Sequence, residues 1–218
     1  GDFGLAAQIY EASVDPTCGA GIMARGPAVL AAMRAVPRER FVPPELSGLA
    51  YEDTPLPIGE GQTISQPYVV ALMAEAARLS PHDTVLEIGT GSGYGAAVLA
   101  QLVARVETVE IRPALAAAAR ERLKEYPQVT VHLADGSLGL PGCAPFDAIL
   151  VSAGGPTVPE TWREQLAPGG RLVMPVGPSR ELPRLVRIVR CPDGAFSQED
   201  LGAVRFVPLI GARGWDGS

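Results

Sequence analysis

The chain has 218 residues, of which 47% are hydrophobic and 19% are charged, so it is expected to fold as one globular α/β domain. Its net charge of −6 argues against non-specific nucleic-acid binding, which needs a basic surface. Three cysteines and two histidines without metal-ligand spacing predict no bound metal and reduced thiols in the cytoplasm. The sequence shows neither an apolar run long enough for a membrane span nor a signal-peptide pattern, so we expect no membrane partner.

The elements up to residue 80 are predicted to form a helical and loop extension that precedes the main fold. Residues 1–26 are weakly patterned and are predicted to be a loop or a poorly ordered arm. A helix is predicted over 27–36, with proline in its first turn, and another over 67–79. Residues 41–66 contain several prolines and glycines and are predicted to be a long ordered loop.

From residue 84 onwards, strand and helix patterns alternate, which predicts a doubly wound, mostly parallel sheet with helices on both faces. The predicted strands are 84–88, 105–110, 129–133, 146–151, 171–176, 184–190 and 203–209, and the predicted helices are 93–103, 113–125 and 159–166. The last strands are expected to form an antiparallel C-terminal edge. The single domain is thus predicted to consist of a divergent arm (1–26), substrate-side helices and a loop (27–80), and a cofactor-binding core (81–210).

A glycine-rich turn, here called the glycine loop (Gly89–Gly95), follows the predicted strand 84–88. It has glycine at every second position, whereas the dinucleotide-binding pattern G-x-G-x-x-G would require glycine at the position of Tyr94. Glycine allows a ligand to approach the backbone closely, so this corner is predicted to bind a nucleotide. Glu87 followed by G-x-G-x-G resembles the first motif of S-adenosylmethionine-dependent methyltransferases.

Two acidic residues at strand ends are further candidates for binding this nucleotide. Glu110 closes the second predicted strand of the core, where a carboxylate offers two acceptor oxygens to vicinal ribose hydroxyls. The alternative is a solvated charge at a strand end. Asp135 and Gly136 follow the third strand and are candidates for the adenine amino group, although Asp-Gly is also a common turn.

Six segments of the chain resemble the protein-L-isoaspartate O-methyltransferase family. They are Ala35–Val42, Leu56–Tyr68, Val85–Tyr94, Pro145–Ile149, Pro168–Val173 and Val204–Leu209. The likeness covers residues 28–210, and its most specific motif is Gly-Gln-Thr-Ile-Ser-Gln-Pro at 61–67. It implies a Rossmann-like class I methyltransferase fold. It also implies methyl transfer from S-adenosylmethionine, which becomes S-adenosylhomocysteine, to the free α-carboxylate of an isoaspartyl residue in a protein or peptide. The ester then closes to a succinimide, and the damaged linkage is repaired.

The glycine-loop motif, the acidic residues at the strand ends and this resemblance together predict which residues hold cofactor and substrate. The cofactor-binding residues would be Gln62, Thr63, Ile64, Glu87, Gly89, Thr90, Gly91, Ser92, Gly93, Glu110, Ile111, Asp135 and Gly136. The substrate peptide would be held by Ser65 together with Val207, Pro208 and Leu209. A carboxylate is already ionised at neutral pH, so we expect Ser65, the predicted catalytic residue, to orient it rather than to act as a covalent nucleophile. The alternative is that Ser65 only caps the helix that begins near Pro67.

Other functions stay open at this stage. Residues 1–26 and Ser152–Pro156 depart from the family pattern close to the expected path of the peptide. A specialised relative that methylates a normal aspartate of one natural-product precursor peptide, and so installs isoaspartate or succinimide, would fit these departures. A dehydrogenase is disfavoured by Tyr94, and an inactive binding module by the intact candidate residues. We expect the protein to be a monomer.

Overall fold

The computed structural model describes residues 26–215, which contain nine strands and five α-helices. The strands are β1 (Leu56–Gly59), β2 (Gln62–Ile64), β3 (Thr84–Ile88), β4 (Arg105–Glu110), β5 (Val129–Leu133), β6 (Phe146–Val151), β7 (Leu166–Val176), β8 (Arg184–Arg190) and β9 (Phe196–Ala203). The helices are α1 (Gly26–Ala35), α2 (Pro67–Ala76), α3 (Tyr94–Leu99), α4 (Pro113–Arg122) and α5 (Glu160–Glu164). The arm predicted over 1–26 lies almost wholly outside the described residues.

The main sheet has seven strands in the order β5-β4-β3-β6-β7-β8-β9. The pairs from β5 to β7 are parallel, and β7–β8 and β8–β9 are antiparallel. This confirms the doubly wound, mostly parallel sheet and its antiparallel C-terminal edge. The chain order reverses between β3 and β6, and the carboxyl ends of these strands therefore open a crevice at one edge of the sheet, where such folds bind ligands.

The predicted position of the last strand was wrong. The prediction was 203–209, but β9 ends at Ala203, and residues 204–209 are irregular except for one parallel bridge between Pro208 and Gly154. A turn around Gly194, whose φ is +84°, folds β9 back on β8 as a hairpin. Because β9 is an edge strand with largely exposed polar side chains, it lacks the apolar alternation by which strands are recognised in a sequence.

The prediction of a loop over 41–66 was also incomplete. This region holds a 3₁₀ helix at Pro44–Leu49 and the β1–β2 hairpin. Gly59, Glu60 and Gly61 have φ values of +90°, +54° and +68°, and the two glycines make this left-handed turn possible. The hairpin brings the segment that follows β2 to the cleft described below.

Two apolar clusters fill the two faces of the sheet. One contains the buried side chains of α1, α2 and α3 together with Val85 and Val106, and the other contains Leu86, Val109 and the fully buried Trp162. The predicted extension therefore packs on the same face as the helix that follows the glycine loop. Within residues 26–215, none of the helices is long and apolar enough to cross a membrane.

Candidate active site

A cleft of about 1100 Å³, counted out to its open mouth, lies at the carboxyl ends of β3, β4 and β6. Most of the residues predicted from the sequence line it. They are Gln62, Thr63, Ile64, Ser65, Glu87, Gly89, Thr90, Gly91, Ser92, Glu110, Ile111, Gly136, Val207, Pro208 and Leu209. Gly93 and Asp135 are not part of this lining. The fold thus brings segments together that are up to 147 positions apart in the chain, from 62 to 209.

The backbone amides of the glycine loop are turned towards the protein. The N–H groups of Gly89 and Thr90 donate to the Val109 carbonyl at 2.9 and 3.2 Å, and the Gly91 N–H donates to a carboxylate oxygen of Glu110 at 2.8 Å. A phosphate-binding loop needs such amides free to point at the ligand. The arrangement suits a nucleoside without phosphates better than the pyrophosphate of a dinucleotide.

Gly93 and Tyr94 determine the backbone conformation and the packing at the end of the glycine loop. Gly93 has a φ of +92°, and a Cβ there would lie 3.1 Å from Leu123, so glycine meets both a backbone and a packing requirement. The Tyr94 side chain is 1% exposed, lies edge-on to Phe41 with ring centroids 5.7 Å apart, and has the Arg38 guanidinium over its face. Tyr94 therefore fills the space beside the helix where a dinucleotide motif would require glycine.

Glu110 is held in place by two backbone amides. Its Oε2 atom accepts the Gly91 N–H at 2.8 Å, and its Oε1 atom accepts the Arg112 N–H at 2.9 Å. Each carboxylate oxygen has two acceptor sites, so one on each oxygen is left for a ligand in the cleft. Only 6% of the Glu110 residue is exposed, and the two amides fix the orientation of its carboxylate before any ligand binds.

Glu87 lies beneath the loop in an apolar surrounding. Burial raises the pKa of its carboxyl to about 8; a hydrogen bond from the Thr108 hydroxyl, at 2.6 Å, opposes this shift, and the nearby charge of Glu110 adds to it. The Thr90 hydroxyl lies 2.7 Å from the Thr108 hydroxyl and extends this network. A Cβ on Gly95 would lie 2.2 Å from Oε1 of Glu87, so the glycine at 95 makes room for this carboxyl.

The raised pKa of Glu87 predicts a pH dependence of stability. The folded state retains a proton on Glu87 up to about pH 8, whereas the unfolded chain loses it near 4.5, so this residue makes the protein less stable as the pH rises through that window. Replacing Glu87 by glutamine keeps the shape and removes the titration. The melting temperature of Glu87→Gln relative to the unsubstituted protein is expected to increase between about pH 6 and about pH 9. Parallel melting curves would contradict the assignment, and Glu121→Gln on the exposed face of α4 is the control.

Ser65 lies between β2 and α2, half-buried in the wall of the cleft. The sequence left open that it caps α2, but the N-cap residue is Gln66 and no side chain of that residue caps the helix. Asp53 takes the capping role instead, since its carboxylate accepts the Tyr68 N–H at 2.9 Å and the Gln66 side-chain amide at 2.8 Å. The Ser65 hydroxyl is therefore not needed for this purpose, and its residue is part of the cleft lining.

Asp135 holds the C-terminal segment rather than lining the cleft. Its oxygens accept the N–H groups of Ser137 at 2.9 Å and Ala212 at 2.7 Å. Burial alone would raise the pKa of this carboxyl, but the bonds from Ala212 and Ser137 outweigh it and lower the pKa. The following Gly136 does line the cleft, and a Cβ there would lie 2.8 Å from Ile88. A direct contact between the Asp135 carboxylate and adenine stays a prediction.

The sequence reasoning missed Ser152 as a site residue. Ser152 follows β6, donates its N–H to the Ile88 carbonyl at 2.8 Å and lines the cleft beside the glycine loop. Its position at the carboxyl end of a strand next to β3 was the available signal. Two residues later, Gly154 binds the Val207 carbonyl and the Leu209 N–H, both at 2.8 Å, which places the predicted peptide-binding segment at the cleft.

Comparison with known proteins gives one family. The family described as protein-L-isoaspartate(D-aspartate) O-methyltransferase matches residues 19–214. A protein-L-isoaspartate O-methyltransferase of Rhodopseudomonas palustris is 56% identical over 199 residues, which cover 89% of this chain and 91% of the relative. One from Protochlamydia amoebophila is 54% identical over 199 residues, which cover 89% of this chain and 95% of the relative.

Solved structures agree with this result. A protein-L-isoaspartate O-methyltransferase superposes with a TM-score of 0.80 and 27% identity, covering 98% of this chain and 67% of the other. A Plasmodium falciparum structure described as a methyltransferase of this type, in complex with S-adenosyl-L-homocysteine, has a TM-score of 0.78 and 22% identity and covers 96% and 99% of the two chains. At this identity, the second likeness is evidence for the fold alone.

Proposed function

The chain belongs to the protein-L-isoaspartate(D-aspartate) O-methyltransferase family, and we propose that the cleft between the glycine loop and Ser65 is where its reaction takes place. The enzyme is an S-adenosylmethionine-dependent carboxyl methyltransferase. It methylates the free α-carboxylate of isoaspartyl residues in proteins or peptides, which leads to succinimide formation and repair.

S-adenosylmethionine fits the residues that line the cleft, and we propose that the glycine loop, Glu87 and Glu110 hold it. When bound, this cofactor supplies an electrophilic methyl group on a sulfonium. The Glu110 carboxylate, oriented by two backbone amides, accepts the ribose hydroxyls. The inward-turned amides of the loop support a ligand that has no phosphate. Gln62, Thr63 and Ile64 line the opposite side, where cofactor and peptide would meet.

The peptide carboxylate is proposed to bind at Ser65, with Val207, Pro208 and Leu209 beside it. A hydroxyl donates a hydrogen bond to an anion without forming an ion pair, so the carboxylate keeps its nucleophilic electron pair. Apolar lining residues such as Ile64, Leu150 and Leu209 exclude water from the carboxylate. Holding the nucleophile in line with the methyl group in this way is worth about 7–11 kcal/mol in favourable cases. This chemistry requires no general base.

The observation that carries this proposal is the single cleft that is lined by both Ser65 and Glu110, whose carboxylate two backbone amides already orient. The test is transfer of a labelled methyl group from S-adenosylmethionine to two peptides of the same sequence, one with isoaspartate and one with aspartate. Turnover of the isoaspartyl peptide alone is expected. The relatives support this repair reaction, and not the alternative of methylating a normal aspartate in one precursor peptide.

The other outcomes of this assay separate the competing functions. Turnover of the aspartyl peptide without the isoaspartyl one would favour the specialised relative. Binding of S-adenosylmethionine without any transfer would indicate an inactive binding module, and binding of NAD in its place would indicate a dehydrogenase.

We further propose that the enzyme acts in the cytoplasm as a monomer, without a nucleic-acid or membrane partner. The net charge of −6 supports the absence of a nucleic-acid partner, because nucleic acids attract basic surfaces. Cys143 and Cys191 are free thiols, the state that a reducing compartment maintains.

A further inference from the structure

A second cluster of chemically active side chains lies outside the lining of the cleft, on the face of the sheet opposite to Glu87. Glu107 on β4, His132 on β5 and Cys143 in the following loop bring a carboxylate oxygen, an imidazole nitrogen and a thiol sulfur within 4.8 Å of one another. Successive side chains of a strand alternate between faces. Glu107 therefore points away from the face of Thr108, which binds Glu87, and towards the apolar cluster that Cys143 joins.

We propose that Glu107, His132 and Cys143 form a binding site for a divalent zinc ion. Imidazole, thiolate and carboxylate are the three protein ligands that zinc prefers, and a water molecule would complete a tetrahedral site. Ligand atoms around such an ion lie roughly 3.3–3.8 Å apart, given metal–ligand distances of about 2.0–2.3 Å. In the present cluster all three ligand atoms lie within 4.8 Å of one another, and Oε2 of Glu107 and Nε2 of His132, now 2.5 Å apart, would separate by about 1 Å to hold the ion.

The charges of the cluster favour a cation. The Glu107 side chain is 0% exposed, and its two oxygens have separate partners: Oε1 binds Arg105 at 2.5 Å, and Oε2 binds Nε2 of His132 at 2.5 Å. A zinc ion would take the place between Oε2 and Nε2, while Arg105 remains on Oε1. With a thiolate and a carboxylate as ligands, the +2 charge is neutralised, and the cost of burying Glu107 falls.

Access to the site is open from one side. The His132 side chain is 27% exposed and Cys143 is half-buried, so an ion and its water ligand can reach them, while Glu107 lies underneath. On binding, the Cys143 thiol would release its proton to solvent, and the neutral His132 imidazole would carry its one ring proton on Nδ1, so that sulfur and the Nε2 lone pair bond to zinc. The ion would join the edge strand β5 and the loop after it to the neighbouring strand β4.

The experiment uses the full, metal-free chain titrated with Co²⁺ as a spectroscopic substitute for Zn²⁺, and then with Zn²⁺. We expect one equivalent to bind, with a sulfur-to-cobalt charge-transfer band that Zn²⁺ abolishes, and Zn²⁺ to raise the melting temperature. Cys143→Ser and His132→Gln should each lose the band and the thermal shift. Cys191→Ser removes a cysteine outside the cluster and should keep both.

Three results would overturn the proposal: a band that survives Cys143→Ser, a band that is lost in Cys191→Ser, or the absence of stoichiometric binding. Because Glu107 is fully buried and its substitution risks the fold, the two half-buried ligands are the decisive variants. Methyl transfer by Cys143→Ser, measured in parallel, should match the unsubstituted enzyme, because Cys143 does not line the cleft.

Discussion

Replacement of Ser65 by alanine is expected to lower kcat for an isoaspartyl peptide about 100-fold, with the affinity for S-adenosylmethionine unchanged. The reason is geometric: the hydroxyl is the proposed donor that fixes the substrate carboxylate, and a nucleophile that is misplaced by about 1 Å loses roughly that factor in rate. Steady-state kinetics with the peptide and calorimetry with the cofactor measure the two quantities separately.

Three controls make the Ser65 experiment specific. Ser65→Thr retains a hydroxyl and should therefore be faster than Ser65→Ala. If Ser65 acted through packing alone, the hydroxyl would give Ser65→Thr no such advantage in rate. Ser47→Ala changes an exposed serine in the 3₁₀ helix before β1 and should be neutral. Since Asp53 caps α2, Ser65→Ala should keep the melting temperature. Full turnover by this variant would remove Ser65 from the mechanism, and a covalent intermediate detected by mass at Ser65 would contradict its orienting role.

The parallel core was the most predictable part of the fold. Strands β3, β4, β5 and β6 are short runs bounded by turn residues, and their predicted and observed bounds are the same. Strand β7 begins at Leu166 rather than 171, since Leu166 already pairs with Phe146 and the strand reaches Arg171 through an irregularity in which Gly169 has a φ of +77°. Strand β9 was missed because its largely exposed polar side chains carry no clear alternation. The β1–β2 hairpin was missed because its strands are only four and three residues long and β1 contains proline and glycine.

Site residues were predictable where a local sequence motif or a strand end marks them. Glu110 and the glycine loop are next to each other in space because β3 and β4 are paired, and a parallel fold dictates that pairing. The capping of α2 by Asp53 and the position of Ser152 depend on contacts between separate segments, which no local pattern records. The same holds for the Glu107, His132 and Cys143 cluster, whose members are 25 and 11 positions apart and match no ligand spacing in the sequence.

Substitution of Glu110 by glutamine is expected to weaken cofactor binding about 10- to 100-fold, because hydrogen bonds to a charged group contribute about 1.5–3 kcal/mol. The carboxylate has two tasks: it accepts the amides of Gly91 and Arg112, and it offers its remaining acceptor sites to the ribose. Glutamine has one acceptor oxygen, so one of these amides would face an NH₂ group and the ribose would lose an acceptor.

The two tasks of Glu110 are separable by measurement. Calorimetry with S-adenosylhomocysteine reports the loss of affinity, and the melting temperature of the ligand-free protein reports the loosening of the glycine loop. Glu121→Gln, which changes an exposed carboxylate of α4, should alter neither. If Glu110 only supported the glycine loop, the loss of cofactor-binding free energy would not exceed the loss of folding free energy. The kcat at saturating cofactor would then fall as well. If it binds the ribose, the Kd rises while kcat at saturation is retained, because the ribose lies away from the bond that breaks. An unchanged Kd in a folded variant would exclude Glu110 as a cofactor ligand.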